Sequence, residues 1–228
     1  MLTSGFDQAL AGAAACLVRR DGVELELAVQ RWHAPAAGED GWLLDRCAGS
    51  AIDLGCGPGR LVAALAARGV RALGVDISRV AHEQCRRRGV PMVCRDVFAP
   101  LPDEGRWRHV LLADGNIGIG GDPLRLLRRA ARLLRPGGTL LVETDGAPHA
   151  YWSGTARLRT GAGPGAPVPW AGVGSAALAR IAAAAGLRVT AGYRGRRTFV
   201  ELVRIEPDGS LPSANARLRR PPRASDRT

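Results

Sequence analysis

The sequence predicts an α/β domain with a doubly wound, mostly parallel sheet. Two observations carry that expectation. Short apolar runs alternate with amphipathic helical patterns between residues 51 and 145, the mark of successive βαβ units. The helical patterns close on glycines, at Gly69 and Gly89, as helices that end in a left-handed residue do. The length of 228 residues, with 46% apolar and 23% charged side chains, is enough to bury one core.

Three stretches divide the chain: residues 1–49, 50–204 and 205–228. In the first, Val23 to Val29 alternates apolar and polar residues and reads as a half-buried strand. Trp42, Leu43, Leu44 and Cys47 follow as a short amphipathic helix, with Asp40 as its cap. The second stretch opens on a strand at Ala51–Leu54, a turn at Gly55–Gly59 and a helix from Leu61 to Arg68. Ala72–Val75 is the next strand, and Asp76 or Ser78 starts a helix that runs through Arg88. Met92–Cys94 and His109–Ala113 are further strands. Asp122-Pro123 reads as an N-cap with proline in the first helical position. The helix after it carries Leu124, Leu127, Ala131 and Leu134 at helical spacing and stops at Pro136-Gly137-Gly138. Thr139–Glu143 is the fifth strand. Ala156–Arg159 reads as a strand, Gly161–Pro169 as a glycine- and proline-rich loop, and Ser175 as the cap of another helix. Arg188–Tyr193 and Thr198–Val203 form a strand pair, and the polar, proline-bearing residues 205–228 read as a disordered tail.

The formal net charge is +11, from 32 basic and 21 acidic residues. Every basic residue is arginine, which points to codon bias more than to a binding surface. The arginines are scattered and aromatics are only 4%, thin for base stacking, so nucleic acid is not the expected partner. The five cysteines are odd in number and form no Cys-x-x-Cys, which argues against a disulfide framework and against a metal site. No apolar run approaches the roughly 18 residues of a membrane span, and no signal peptide is read at the start. Together these place the expected protein in the cytoplasm.

The string Asp53-Leu54-Gly55-Cys56-Gly57-Pro58-Gly59 sits where a strand becomes a helix. Glycines there let the backbone turn sharply and approach a ligand, and the helix behind them offers amide groups. The dinucleotide fingerprint Gly-x-Gly-x-x-Gly fails, because its last position, counted from Gly55, is Arg60. An acid stands two residues before the first glycine instead.

These residues resemble the first motif of class I S-adenosylmethionine-dependent methyltransferases, acid-x-Gly-x-Gly-x-Gly. Val75-Asp76-Ile77, Cys94-Arg95-Asp96-Val97 and Leu134-Arg135-Pro136-Gly137-Gly138-Thr139-Leu140 are similar to that family's later motifs. The resemblance runs from about Ala51 to Glu143 and implies a Rossmann-like methyltransferase fold, a seven-stranded sheet with a C-terminal antiparallel strand pair. It implies that residues 1–49 cap the pocket. It implies S-adenosyl-L-methionine as cofactor, with Gly55, Cys56 and Gly57 at its methionine end and Gly59 completing the turn. Asp53 would organise the ammonium group, Asp76 with Ile77 would take the ribose, and Asp96 with Val97 would take the adenine. Asp114-Gly115, after the fourth strand, would supply a carbonyl near the ammonium. Cys56 reads as a small apolar filler.

The acceptor implied is a small molecule. Asn116, His33 and His149 are the candidate catalytic residues, with Trp32, Tyr151 and Trp152 beside them. Arg157 and Arg159 would matter for an anionic substrate and otherwise line a solvated strand face. The Asn/Asp-Pro-Pro-aromatic string of base-amino methyltransferases is absent from Asp114 to Pro123. That disfavours the main rival, an RNA methyltransferase. A nicotinamide-dependent oxidoreductase is disfavoured by Arg60 at the last fingerprint position. A cofactor-binding protein without catalysis is a third rival, and the intact glycine turn would serve it equally well.

Overall fold

A computed structural model of the chain describes residues 5–205. Its main sheet contains seven strands. Ser50–Leu54 (β3) lies at the centre of the run, flanked by Arg71–Asp76 (β4) and then Met92–Cys94 (β5) on one side. Trp107–Leu112 (β6) and Leu134–Thr144 (β7) follow on the other, all parallel. Thr198–Arg204 (β11) pairs antiparallel with β7, and Leu187–Arg194 (β10) pairs antiparallel with β11 at the edge. The expected fold class and the C-terminal strand pair are both present.

Burial on two faces explains why the central strands read as apolar runs. Ala51, Ile52 and Leu54 of β3, and Val110, Leu111 and Leu112 of β6, are all buried, as parallel strands with covered faces require. Helices Arg60–Ala67 (α4) and Arg79–Arg88 (α5) connect β3 to β4 and β4 to β5. Pro123–Leu133 (α6) connects β6 to β7. Capping follows the sequence in two cases. Ser78 accepts the Ala81 amide at 3.2 Å, and Asp122 accepts the Arg125 amide at 3.0 Å.

A second sheet, which the sequence does not predict, lies apart from the first. It has four antiparallel strands in the order β2-β1-β8-β9: Glu24–Glu26, Ala15–Arg19, Tyr151–Thr160 and Gly163–Val173. A short helix, Asp7–Leu10 (α1), precedes β1. The chain's early segment therefore builds only half of this layer. The other half is a hairpin inserted between β7 and Ser175–Ala182 (α7).

Five local expectations are corrected. The strand expected over Val23–Val29 shrinks to the three exposed residues of β2, an edge strand, and Val29 instead opens a short helix, Val29–His33 (α2). Asp40 is not a cap but the first residue of Asp40–Leu44 (α3), drawn inward by two arginines. Leu134 and Pro136-Gly137-Gly138 belong to β7, since α6 ends at Leu133 and β6 pairs with β7 from Leu134 with a register shift. The glycine- and proline-rich stretch to Pro169 is mostly strand β9. Its prolines are tolerated because β9 is an edge strand. Gly174, not Ser175, is the N-cap of α7. The disordered tail expected beyond Ile205 lies outside the described residues.

Candidate active site

The parallel strands β3 to β6 end at one edge, where such sheets bind ligands. Between that edge and the second sheet lies a cavity of about 640 Å³. Gly55, Cys56 and Gly57 form part of its floor, and Leu17, Trp152 and Trp170 come from the roof.

The glycine turn is closely built. Gly55, Gly57 and Gly59 have φ of 75°, 51° and 78°, a region that disfavours side chains. The amides of Gly55 and Cys56 both donate to the Val75 carbonyl, at 2.8 and 3.0 Å. The Gly57 amide donates to Asp76 Oδ2 at 3.0 Å, and the Gly59 amide to the Cys56 carbonyl at 3.0 Å. These four amides are thus engaged within the protein, and the turn is no open cradle for a pyrophosphate. A Cβ on Gly59 would lie 2.8 Å from Cys85 Sγ and from Val90 Cγ2, so this glycine serves the packing of α4 against α5 and does not line the cavity.

Asp76 ends β4 at the cavity wall. It also accepts the Ser78 amide at 2.9 Å. Burial raises its pKa, while the amides of Ser78 and Gly57 oppose the shift. Asp96, exposed at the end of β5, accepts the Phe98 amide at 2.9 Å and lines the cavity with Val97. Asp53 lies behind the turn. It is only 3% exposed, and its Oδ1 has no hydrogen-bond partner among the described residues. Burial pushes its pKa up to about 7, against the pull of Arg60.

Of the eleven residues expected to hold a cofactor, nine line the cavity: Gly55, Cys56, Gly57, Asp76, Ile77, Asp96, Val97, Asp114 and Gly115. The catalytic candidates scatter. Asn116 lines the cavity, but its Nδ2 donates to the carbonyls of Leu54 and Gly55 at 3.0 and 2.8 Å, which ties the β6 exit to the glycine turn. His33 lies outside the cavity lining, its Nε2 buried without a partner. His149 is exposed beside Arg180, 3.5 Å away. Trp32 and Trp152 line the cavity, while Tyr151 is 50% exposed and does not. Arg157 and Arg159 sit on the exposed face of β8, bonded to the Gly165 carbonyl and to Glu24.

Sequence reasoning missed an ion cluster behind the site. Arg60, 3% exposed, joins Asp40 to Asp114, the latter at 2.7 Å. Arg197 reaches Glu143, Asp40 and Asp114, and Arg31 reaches Asp114 at 2.8 Å. Burial works against a charged Asp40, but Arg197 and Arg60 outweigh it and hold its carboxyl below the usual range. The cluster fixes Asp114, whose φ of 55° is rare for a non-glycine residue. Its members come from α2, α3, α4, the end of β6, β7 and the approach to β11. No local pattern could join them. The one available signal was Arg60, a charge at the start of an otherwise apolar helix.

Comparison with known proteins agrees with this geometry. Residues 51–138 match a methyltransferase domain family. A ubiquinone biosynthesis O-methyltransferase from Methylococcus capsulatus is 36% identical over 101 residues, 41% of this chain and 42% of that protein. A trans-aconitate 2-methyltransferase from Paracidovorax citrulli is 33% identical over 96 residues, 40% of this chain and 37% of that protein. The match thus spans about two fifths of those curated relatives. Among solved structures, an S-adenosylmethionine-dependent methyltransferase from Bacteroides fragilis, in complex with S-adenosyl-L-homocysteine, superposes with a TM-score of 0.71. It shares 20% identity and covers 87% of this chain and 93% of its own. The strand order, the motif-bearing turns and the matched segment agree: the chain has the fold of the class I S-adenosylmethionine-dependent methyltransferases, and its residues 51–138 are similar to a methyltransferase domain.

Proposed function

We propose that the protein transfers a methyl group from S-adenosyl-L-methionine to a small-molecule nucleophile. The observation that carries this is the convergence of nine motif residues from four strand ends on one cavity. The residues fit the cofactor chemically. Asp53 stands behind the turn, outside the cavity lining, and its Oδ1 has no donor among the described residues. Asp76 has a carboxylate at the cavity wall suited to two neighbouring hydroxyls. Asp96 and Val97 offer an acceptor and an amide at the next strand end, where a purine edge would lie. When bound, the cofactor supplies an activated methyl group. The chain's own task is to hold the acceptor in line with it and exclude water, a proximity effect of up to roughly 7–11 kcal/mol.

The cavity favours a neutral or cationic acceptor over an anionic one. Its lining includes Glu26, Asp76, Asp96, Asp114 and Asp145 against Arg60, Arg95 and Arg125. Arg60 is bound by two carboxylates, and Arg125 stacks over Phe98 at 3.9 Å. The engaged amides of the glycine turn argue against a nicotinamide dinucleotide. The absent Pro-Pro-aromatic string and the roofed pocket argue against a flipped RNA base. Among the described residues no helix is long and apolar enough to cross a membrane. A cytoplasmic site of action is supported by five unpaired cysteines, which suit a reducing compartment.

The test is calorimetric titration with S-adenosylhomocysteine, alongside NADH, on the wild type and Asp76→Ala. Micromolar binding of the nucleoside, weakened about 100-fold in the variant by loss of charge-assisted hydrogen bonds, is expected. Binding of NADH alone, or of neither ligand by folded protein, would overturn the proposal.

A further inference from the structure

The cavity lining holds a carboxylate with no task in cofactor binding. Asp145 follows directly after β7 and lines the cavity. Its backbone is pinned, with the amide donating to the Val173 carbonyl at 2.9 Å and a bridge to Gly174. Its side chain makes no hydrogen bond or ion pair with any described residue. A Cβ on Gly172 would lie 2.1 Å from Trp152 Nε1 and 2.5 Å from Asp145 Oδ2. The indole edge and the carboxylate therefore converge over a bare stretch of β9.

The surroundings specify a ligand class. Aromatics are 4% of the chain, yet three of its five tryptophans, Trp32, Trp152 and Trp170, line this one cavity, with Phe6 and Phe98. Phe6 and Trp170 are in ring contact at 4.8 Å. Flat apolar walls with a carboxylate set beside an indole edge suit a planar ring that carries a polar hydrogen. The charged groups facing Asp145 are already engaged. Arg19, from β1, lies 4.8 Å over the Trp152 ring and pairs with Asp21, and Glu143 is held by Arg197.

We propose that Asp145 is the catalytic base for methylation of a neutral O–H or N–H group on an aromatic ring seated among these tryptophans. The inference rests on the methyltransferase reading above. In the step, the acceptor heteroatom forms its bond to the methyl carbon while the carbon–sulfur bond breaks and leaves its electron pair on sulfur. The acceptor's proton passes to the Asp145 carboxylate. Burial raises the Asp145 pKa, opposed by Arg19 and reinforced by Glu143, which makes the carboxylate a stronger base than an exposed one.

The test compares wild type, Asp145→Asn and Asp145→Glu with radiolabelled S-adenosylmethionine over a panel of phenols and anilines. S-adenosylhomocysteine affinity is measured in parallel, and tryptophan fluorescence of that complex is followed during titration with phenol. The expected result is transfer to at least one panel member, with kcat about 100-fold or more lower in Asp145→Asn. KM and nucleoside affinity should stay within about threefold, the acid limb of the kcat–pH profile should vanish, and Asp145→Glu should restore it. Phenol should quench the fluorescence of both wild type and Asp145→Asn. Equal kcat and an unchanged pH profile in Asp145→Asn would overturn the proposal. So would nucleoside binding without transfer to, or quenching by, any panel member. Failure of the wild type to bind the nucleoside would instead overturn the function on which this rests.

Discussion

The floor and the roof of the cavity are built by different rules. The floor is a parallel sheet with both faces covered, and its glycines and acids sit at strand ends by short-range necessity. The roof is an antiparallel sheet whose strands come from two distant parts of the chain, with Ala15 opposite Thr160. On the proposed function the floor would meet the cofactor, and its fold recurs in solved structures only 17–20% identical. The roof, which carries Trp152 and Trp170, would meet the acceptor. Shared chemistry is thus lodged in local motifs, and specificity in long-range pairing.

The largest effect is expected at the buried ions that tie α2 and α3 to the strand ends of the floor. Arg60→Ala leaves Asp40 and Asp114 short of a buried cation, and loss of about 3–5 kcal/mol in urea unfolding is expected. Nucleoside affinity should fall with it, because Asp114 is part of the cavity wall.

A second effect isolates the floor. Folded Asp53 releases its proton near pH 7, against 3.8 for the free side chain. Between those values the folded state binds the proton more tightly than the unfolded one. The stabilisation is complete below about pH 4 and is lost as the pH rises to about 7, by up to about 4 kcal/mol. His109 acts in the opposite sense, since burial holds its pKa down to about 4 and its charging destabilises the fold as pH falls below about 6.5. The difference between wild type and Asp53→Asn, taken across pH 4–8, removes the His109 contribution. It should show the variant gaining stability relative to wild type as pH rises, while binding S-adenosylhomocysteine more weakly.

The roof is probed by Gly172→Ala. The new methyl group would push on Trp152 and Asp145, an overpacking cost of about 1–2 kcal/mol. Thermal melting should register that loss, while S-adenosylhomocysteine affinity stays within about threefold because none of the motif residues at the ends of β3 to β6 is touched. The smallest effect is expected at Ser78→Ala. It removes the α5 cap and the bond from Ser78 Oγ to Asp7 at 2.6 Å, for about 1 kcal/mol in chemical denaturation.

The same division explains what the sequence disclosed. Residues 51–145 were legible because each strand is a short apolar run with a glycine or acid at its end, and each helix closes within its own neighbourhood. The roof was not, because β9 is written in glycine and proline, Gly163-Pro164-Gly165-Ala166-Pro167, and only its edge position and its pairing with β8 make it a strand. Nine of the cavity-lining positions emerged from motifs that each span a few residues. Asp145 did not, since one acid after a strand has no signature until Trp152 and Trp170 are brought beside it. His33 and His149 qualify on side-chain chemistry and on a place in the early segment or after the fifth strand, but such a place does not fix reach, and neither lines the cavity.

The pairing of Ala15–Arg19 with Ala156–Thr160 also bears on how the molecule comes to exist. During synthesis the first strand of the roof emerges early and has no partner but the three-residue β2 until the hairpin follows. Closing so long a loop is slow relative to forming successive βαβ units, each of which needs only its neighbour. The nascent chain therefore completes a nucleoside shelf before it completes a room around it. In that interval Leu17 of β1, buried in the finished fold, has no hairpin to cover it, and the growing polypeptide is at its most vulnerable to association with other chains.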